Sequence, residues 1–316
     1  MKLASYIREP RISCGLVTER GIIDIPSHCS GPVRPHSIKE ILIRGPECLK
    51  QIAELEKTAA SFLDPAQLKF MAPVPRPGKL LGLAGNFCEH IRETGKSLGL
   101  TESPAKTTVP RPFLMPPTAA TGHRSTIPWP AYSEQVDYEI ELAVMIGRHT
   151  YCIPPHKARE HIAGYLIAND ISARSVTFSA GRAVRPWDEF YDWLNGKWSD
   201  GFLPLGPWLV TADEIPDPQN LQLELKVNGE IRQKANTSQM IFSVDQIVSF
   251  LSHLMTLEPG DCIATGTPAG VGMATGQFLQ PGDTIECSIE RIGTLTNILG
   301  PRPPSLYRPL IGSESA

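Results

Sequence analysis

The chain has 316 residues, of which 41% are hydrophobic and 20% charged, and a formal net charge of −3. Those totals describe an ordinary globular protein, long enough to bury a core without disulfides, rather than a disordered or membrane-embedded one. With no excess of Lys and Arg, neither nucleic acid nor a membrane surface is expected as a partner. Seven scattered cysteines, odd in number and never in a C-x-x-C pair, point to reduced thiols and a cytoplasmic setting. Near the N-terminus Arg8, Glu9 and Pro10 interrupt the apolar stretch, so no signal peptide is expected, and no later stretch approaches a membrane-spanning length.

In chain order, residues 2–6, 14–17 and 21–25 read as short strands and 38–62 as helical, making 1–72 a small N-terminal α/β module. Residues 73–78 begin Pro73-Val-Pro-Arg-Pro77, which can neither continue a helix nor donate to a ladder, and read as a stiff connector. From residue 79 to 300 the pattern is many short strands with few helices, the expected working domain. Residues 301–316, rich in Pro, Ser and Arg, read as a surface or disordered tail. The fold class expected is α+β, mainly β.

Inside the working domain, Leu221-Gln-Leu-Glu-Leu-Lys-Val227 alternates apolar and polar residues and runs into Asn228-Gly229, the pair that suits a type I′ hairpin. Ser243-Val-Asp-Gln246 has the layout of a capping box, followed by Ile247, Phe250, Leu251 and Leu254 at helical spacing. Residues 285–290 and 293–297 return to strand character.

The residues able to do chemistry lie among these elements. Val136-Asp-Tyr-Glu-Ile-Glu-Leu-Ala-Val-Met-Ile-Gly147 is strand-like yet carries acids at alternate positions, so Asp137, Glu139 and Glu141 are expected on one face. Apolar residues on both sides point to burial, and buried carboxylates need a cation; oxygen ligands suit a hard ion such as Mg²⁺ or Mn²⁺. The spacing alone supports a metal site and a solvated strand face about equally. Asp170 closes the apolar run Gly164-Tyr-Leu-Ile-Ala-Asn169, where by itself a turn or cap is the commoner role. His90 and Glu93, three apart, can meet on one helix face, an arrangement that activates water but is also common on exposed helices. Gly266-Thr-Pro-Ala-Gly-Val-Gly272 lacks the ending of a phosphate loop, though its amides can hold a carboxylate. Lys197, in a Trp- and Asp-rich stretch, reads by default as a surface lysine.

Taken together, Gly85-Asn86, His90-Ile-Arg-Glu93, Val136-Asp-Tyr-Glu-Ile-Glu-Leu142, Asn169-Asp-Ile-Ser-Ala-Arg174, Pro204-Leu-Gly-Pro-Trp208, Asn236-Thr-Ser-Gln-Met-Ile-Phe242, Leu257-Glu-Pro-Gly-Asp261 and Thr265-Gly-Thr-Pro-Ala-Gly-Val-Gly272 resemble the fumarylacetoacetate hydrolase family, over about residues 79–300. The resemblance implies a mixed β-roll or sandwich with short flanking helices, usually a homodimer. It places Glu139, Glu141 and Asp170 on the family's metal-binding carboxylates, with Mg²⁺ expected and Mn²⁺ or Ca²⁺ as alternatives. His90 and Glu93 match the water-activating pair on a lid segment, and Lys197 matches the lysine facing the bound substrate. Thr267, with Gly266 and Arg174, falls among the substrate-binding positions.

By activity, the resemblance implies a hydrolase that cleaves a C–C bond in a small 2-oxo or 1,3-dicarbonyl acid of acylpyruvate or fumarylpyruvate type. The metal would serve as Lewis acid and template, His90 would deprotonate a water, and Lys197 would stabilise the enolate. A decarboxylase or keto–enol isomerase of the same site is the first alternative, and a non-catalytic metal-binding member the second. This chain departs from the family pattern at Met115, where relatives commonly have Lys, and at Ser175-Val-Thr177, which replaces the usual acid and Gln. The aromatic stretch 178–195 is longer than in compact relatives and reads either as a specificity loop or as a dimer contact.

Overall fold

The computed structural model describes residues 1–29, 34–98 and 108–309, without the side chains of 94–98. At the N-terminus, β1 (Lys2–Arg8), β2 (Arg11–Thr18) and β3 (Gly21–Asp24) lead into a single helical turn, α1 (Ile25–His28). The stretch expected as one helix over 38–62 is two, α2 (Ile38–Arg44) and α3 (Pro46–Thr58). Gly45, at φ 78°, ends the first, and Pro46, which has no N–H to leave unpaired, opens the second.

The connecting region holds β4 (Lys69–Met71), β5 (Leu80–Leu83), α4 (Cys88–Leu98), β6 (Pro112–Met115) and the two-residue strands β7 (Ala120–Thr121) and β8 (Thr126–Ile127). Then come β9 (Ser133–Asp137), β10 (Ile140–Ile146), β11 (Ile162–Asn169), β12 (Ser172–Val176), α5 (Asp188–Asn195) and β13 (Leu203–Thr211). The expected hairpin is β14 (Gln222–Val227) with β15 (Glu230–Asn236), turning on Asn228 and Gly229 at φ 51° and 83°, the left-handed pair a type I′ turn requires. The expected capping box opens α6 (Val244–Leu254), with both reciprocal bonds between Ser243 and Gln246 formed. β16 (Cys262–Ala264), the short α7 (Gly272–Thr275), β17 (Thr284–Ile289) and β18 (Gly293–Leu299) complete the chain order.

These strands make an eleven-stranded sheet in the order β3-β2-β1-β13-β11-β10-β16-β5-β6, with β4 beside β1 and β7 beside β13. A five-stranded sheet runs β15-β14-β17-β18-β8, and β12 with β9 makes a two-stranded ribbon. This is the mainly-β mixed architecture expected from the sequence. β10 lies in the middle of the large sheet and is buried at every position. Its alternate residues serve opposite sides: Leu142, Val144 and Ile146 join a core with Leu223, Ile247 and Ile285 from the second sheet and α6. Ala143 and Met145 join a core with Leu16, Ile41 and Ile52 from the N-terminal strands and helices. The N-terminal strands are thus part of the large sheet itself, through β1 on β13 (Lys2 opposite Val210, Leu3 opposite Leu209).

The proline-rich stretch packs rather than spans: the Ser5 hydroxyl donates to the Pro73 carbonyl at 2.7 Å, and Val74 is buried. At the far end, Arg302 lies over the Trp129 ring and the Tyr307 N–H donates to the Ala131 carbonyl. Residues 310–316 of the expected tail lie outside the described residues. None of the described helices is long and apolar enough to cross a membrane.

Gly164, on β11, faces β13 so closely that a Cβ there would sit 2.0 Å from the Val210 carbonyl oxygen. Gly164→Ala is expected to destabilise the protein by about 1–3 kcal/mol, the usual cost of overpacking, read as a lowered midpoint in urea unfolding.

Candidate active site

The sequence suggests one strand through residues 136–147, but the structure breaks it between Asp137 and Ile140, and the break sorts the acids. Backbone donors at the break are taken by side chains: Tyr138 N–H by the Asp137 carboxylate (2.8 Å), Glu139 N–H by Asn169 Oδ1 (2.9 Å) and Ile140 N–H by Gln233 Oε1 (2.9 Å). Asp137, on β9, therefore turns away to a separate role. Glu139 at the break, Glu141 on β10 and Asp170 just beyond β11 bring one carboxylate oxygen each to within 4.8 Å of one another. All three are buried.

Lys197 is not a surface lysine: it is 1% exposed. Gly196 at the end of α5 lies against the ribbon, accepting from the Ala173 N–H at 2.8 Å, where a Cβ would sit 2.3 Å from the Ala173 carbonyl oxygen. That close approach turns the next side chain inward, and Lys197 Nζ donates to Glu139 Oε2 at 2.9 Å and Asp170 Oδ2 at 2.8 Å. Arg174, from β12, bridges Glu139 Oε1 at 2.5 Å and Asp137 Oδ2 at 3.1 Å. Burial alone would raise the Glu139 carboxyl, but the charges of Lys197 and Arg174 outweigh it and hold the group low. Glu141 goes the other way: burial, then the charges of Asp170 and Glu139, push it well above the usual carboxylate range. Asp170 is raised to about 6, chiefly by burial, against the pull of Lys197. Lys197 stays protonated because Asp170 and Glu139 overcome the burial that favours losing its proton.

The glycine-rich loop after β16 supplies backbone donors to three acids. Gly266 N–H donates to Glu141 Oε2 at 2.7 Å, Gly270 N–H to both oxygens of Glu93 at 3.0 Å, and Gly272 N–H to Asp137 Oδ1 at 2.6 Å, with Met273 N–H on Asp137 Oδ2 at 2.9 Å. Its amides do hold carboxylates, but the protein's own. Gly266 sits at φ 95° with a would-be Cβ 2.7 Å from that of Asn86, so both its dihedral and its space call for glycine.

Glu93, fixed by Gly270, accepts from His90 Nδ1 at 3.0 Å. A carboxylate only accepts, so Nδ1 carries the hydrogen and Nε2 is the basic nitrogen. Asn86 anchors the start of α4, donating to the Thr265 (2.7 Å) and Phe242 (3.2 Å) carbonyls and accepting from the Phe242 N–H (2.8 Å). These groups surround a cavity of about 470 Å³ whose wall includes Glu139, Asp170, His90, Arg174, Lys197 and Thr267. Of the other residues expected from the sequence, Glu141 and Glu93 stand behind that wall. Gly266, expected at the substrate, gives its N–H to Glu141.

The departures from the family pattern scatter. Ser175 lines the cavity, Met115 is buried in the core beside the N-terminal helices, and Thr177 donates to the Tyr307 carbonyl. Gln233 gave no signal in the sequence. Yet its buried amide ties the strand break to the loop, accepting from Ile140 and donating to Thr267 Oγ1 (2.9 Å) and the Pro268 carbonyl (2.8 Å). Only contact across 93 positions reveals it.

A metal ion fits this donor set. Three carboxylates converge, Lys197 and Arg174 bring two positive charges against their three negative ones, and Arg174 is shared with Asp137. Asp170 Oδ1 is buried without a hydrogen-bond partner, which is costly unless a cation meets it. All-oxygen donors suit Mg²⁺ or Mn²⁺ without choosing between them.

In metal-free protein the raised carboxyls have a definite sign. A folded state that binds more protons than the unfolded one loses stability as pH rises, here from the ordinary carboxylate range through about 6 for Asp170 and further for Glu141. Chelator-treated protein is therefore expected to melt at falling temperatures from pH 5 to pH 8. Glu141→Gln should flatten that slope, and Mn²⁺ should restore the parent protein more than the variant. A slope unchanged by the substitution would refute the assignment.

The family model described as fumarylacetoacetate (FAA) hydrolase C-terminal matches residues 79–299. Over 296 residues the chain is 35% identical to oxaloacetate tautomerase FAHD2A, mitochondrial, of Bos taurus, a match that covers 93% of this chain and 88% of that protein. Among solved structures, fumarylacetoacetate hydrolase from Exiguobacterium antarcticum superposes with a TM-score of 0.78 at 32% identity, covering 96% of this chain and all (100%) of that one. Maleylpyruvate hydrolase from Sphingobium sp. SYK-6, solved with manganese(II) and pyruvate, gives a TM-score of 0.75 at 27% identity, with 96% and 100% coverage. A family model across the site-bearing region and relatives matched along nearly the whole chain agree, and the chain belongs to the fumarylacetoacetate hydrolase family.

Proposed function

We propose that the chain is a divalent-metal-dependent enzyme that forms an enolate from a small 2-oxo acid, with hydrolysis of an acylpyruvate C–C bond as its reaction. The observation that carries this reading is one cavity lined by both Lys197-bridged acids and by His90, whose ring Glu93 holds from behind the wall. The manganese and pyruvate bound by the Sphingobium hydrolase support the same pairing of metal and oxo acid. Glu139, Glu141 and Asp170 would hold a divalent ion, which would supply Lewis acidity toward a bound oxo acid.

The protein's own groups do the rest. His90 Nε2 takes a proton from water, and the resulting imidazolium is stabilised by Glu93, itself fixed by the Gly270 N–H. The hydroxide adds to the distal carbonyl, the C–C bond breaks toward the oxo acid, and the electron pair becomes an enolate. Lys197, held protonated at the floor, offers positive charge to that enolate. The His90 imidazolium gives its proton to the enolate carbon, which regenerates the neutral ring and yields pyruvate beside the released carboxylic acid.

A second reading, keto–enol tautomerisation, is favoured by the 35% identity with the Bos taurus tautomerase. It uses the same His90 to move a proton between carbon and oxygen without water addition.

Incubating Mn²⁺-loaded protein with acetylpyruvate and with oxaloacetate, and following products by mass spectrometry and proton NMR, separates the two. Pyruvate plus acetate supports hydrolysis. Enol–keto exchange of oxaloacetate without cleavage of either compound would replace it by tautomerisation. In either case His90→Ala is expected to lower kcat by about 10²–10⁴-fold, the usual worth of a general base. Glu139→Ala/Glu141→Ala should abolish Mn²⁺ binding in calorimetry as well as turnover.

A further inference from the structure

The cavity has a charged floor and a different mouth. Glu139, Asp170 and Lys197 at the floor are buried, whereas Glu189 and Met273 on the same wall are exposed and mark the opening. Part of the wall is aromatic and apolar: Trp193 of α5 meets Phe113 edge-on, with centroids 5.0 Å apart, and Val176 and Phe278 also line the cavity, along with the polar Gln135, Ser175 and Ser179. The volume of about 470 Å³ lies within the range of pockets that hold drug-sized ligands, more room than a four-carbon acid needs.

The charges of this mouth do not suit a second carboxylate. Arg182 is occupied, with two parallel bonds of 2.7 Å to Asp192 and its Nε 3.4 Å from Asp188. Arg185 also pairs with Asp188, at 3.2 Å, and Arg174 is held by Asp137 and Glu139. Against those two segment arginines stand three acids, and the one on the cavity wall with no ion-pair partner among the described residues is Glu189. A substrate anchored by its oxo-acid end at the floor would point its far end along the aromatic wall toward that negative charge.

We propose that α5 sets the specificity of the site, with Glu189 and the Phe113–Trp193 wall selecting, among 2-oxo acids long enough to reach the mouth, those whose distal group is apolar and uncharged and disfavouring dicarboxylates of the same length. The inference rests on the oxo-acid reading above and concerns these acyl-extended acids, not a four-carbon dicarboxylate such as oxaloacetate. Like charges brought together across a partly desolvated wall cost affinity, and salt screens that cost.

The test compares benzoylpyruvate with fumarylpyruvate on the full chain loaded with Mn²⁺, by calorimetric Kd in the His90→Ala background and by kcat/KM in the parent. Benzoylpyruvate is expected to bind about tenfold more tightly than fumarylpyruvate, with the gap narrowing as salt is raised. Glu189→Lys should tighten fumarylpyruvate by about tenfold and shift benzoylpyruvate by no more than about twofold. Equal or tighter binding of fumarylpyruvate by the protein with native Glu189, or a ratio unmoved by Glu189→Lys, would overturn the proposal. Binding at the expected ratio without cleavage of either compound would sink the hydrolytic reading and leave the selectivity standing. Failure to bind either compound would overturn the selectivity as well.

Discussion

Four buried carboxylates, Asp137, Glu139, Glu141 and Asp170, impose the constraint around which this site is built. A charge taken out of water needs partners in fixed places, and removing one partner leaves the rest uncompensated. The partners come from three separate stretches: Arg174 from the ribbon, Lys197 from the end of α5, and the amides of the loop after β16. Each source needs its own local device. The ribbon needs the strand break at 138–139, α5 needs Gly196 pressed against Ala173, and the loop needs glycine where its backbone passes Asn86 and Asp137. The irregular features near the cavity are consequences of holding negative charge in a sheet interior.

The same constraint explains what could be read from the residues. Hairpin and capping-box chemistry is local: Asn228-Gly229 and Ser243 to Gln246 contain their own partners, so their geometry is visible in a few residues. Acids at alternate positions mark the metal candidates Glu139 and Glu141, because period two is a property of the strand itself. That same period puts Asp137 with them, and it misleads there, because side chains of Asn169 and Gln233 replace the ladder at the break. Lys197 and Gln233 act across 58 and 93 positions, and no local pattern announces a partner that distant. For Lys197 only the family resemblance raises the possibility. The division of 38–62 at Gly45-Pro46 is locally legible, but the apolar periodicity on either side conceals it.

The N-terminal strands enter the site indirectly. β10 is buried on both faces, so the strand carrying Glu141 needs a cover on each side. One cover is the second sheet with α6; the other is α2, α3 and the first strands, which continue the large sheet through β1 on β13. A central strand with two apolar faces is held too firmly to slide by one residue, since a slip would carry Glu141 to the opposite core. Position of the carboxylate along the sheet is therefore fixed from behind, by residues that touch neither the cavity nor its acids.

Charge arithmetic at the floor shows why Lys197 and a metal ion are compatible rather than alternatives. The two oxygens of Asp170 differ: Oδ2 accepts from Lys197, while Oδ1, equally buried, has no hydrogen-bond partner. Glu141 likewise commits Oε2 to the Gly266 N–H and makes no bond to Lys197 among the described residues. A cation seeking oxygen ligands thus meets one oxygen on Asp170 that the ammonium does not use, and a carboxyl on Glu141 that burial and its neighbours leave short of positive charge. Lys197 bridges two of the acids, Glu139 and Asp170, and its charge offsets their mutual repulsion. The ammonium keeps Glu139 and Asp170 together, and Asp170 Oδ1 and the Glu141 carboxyl are the groups it leaves for a cation to meet.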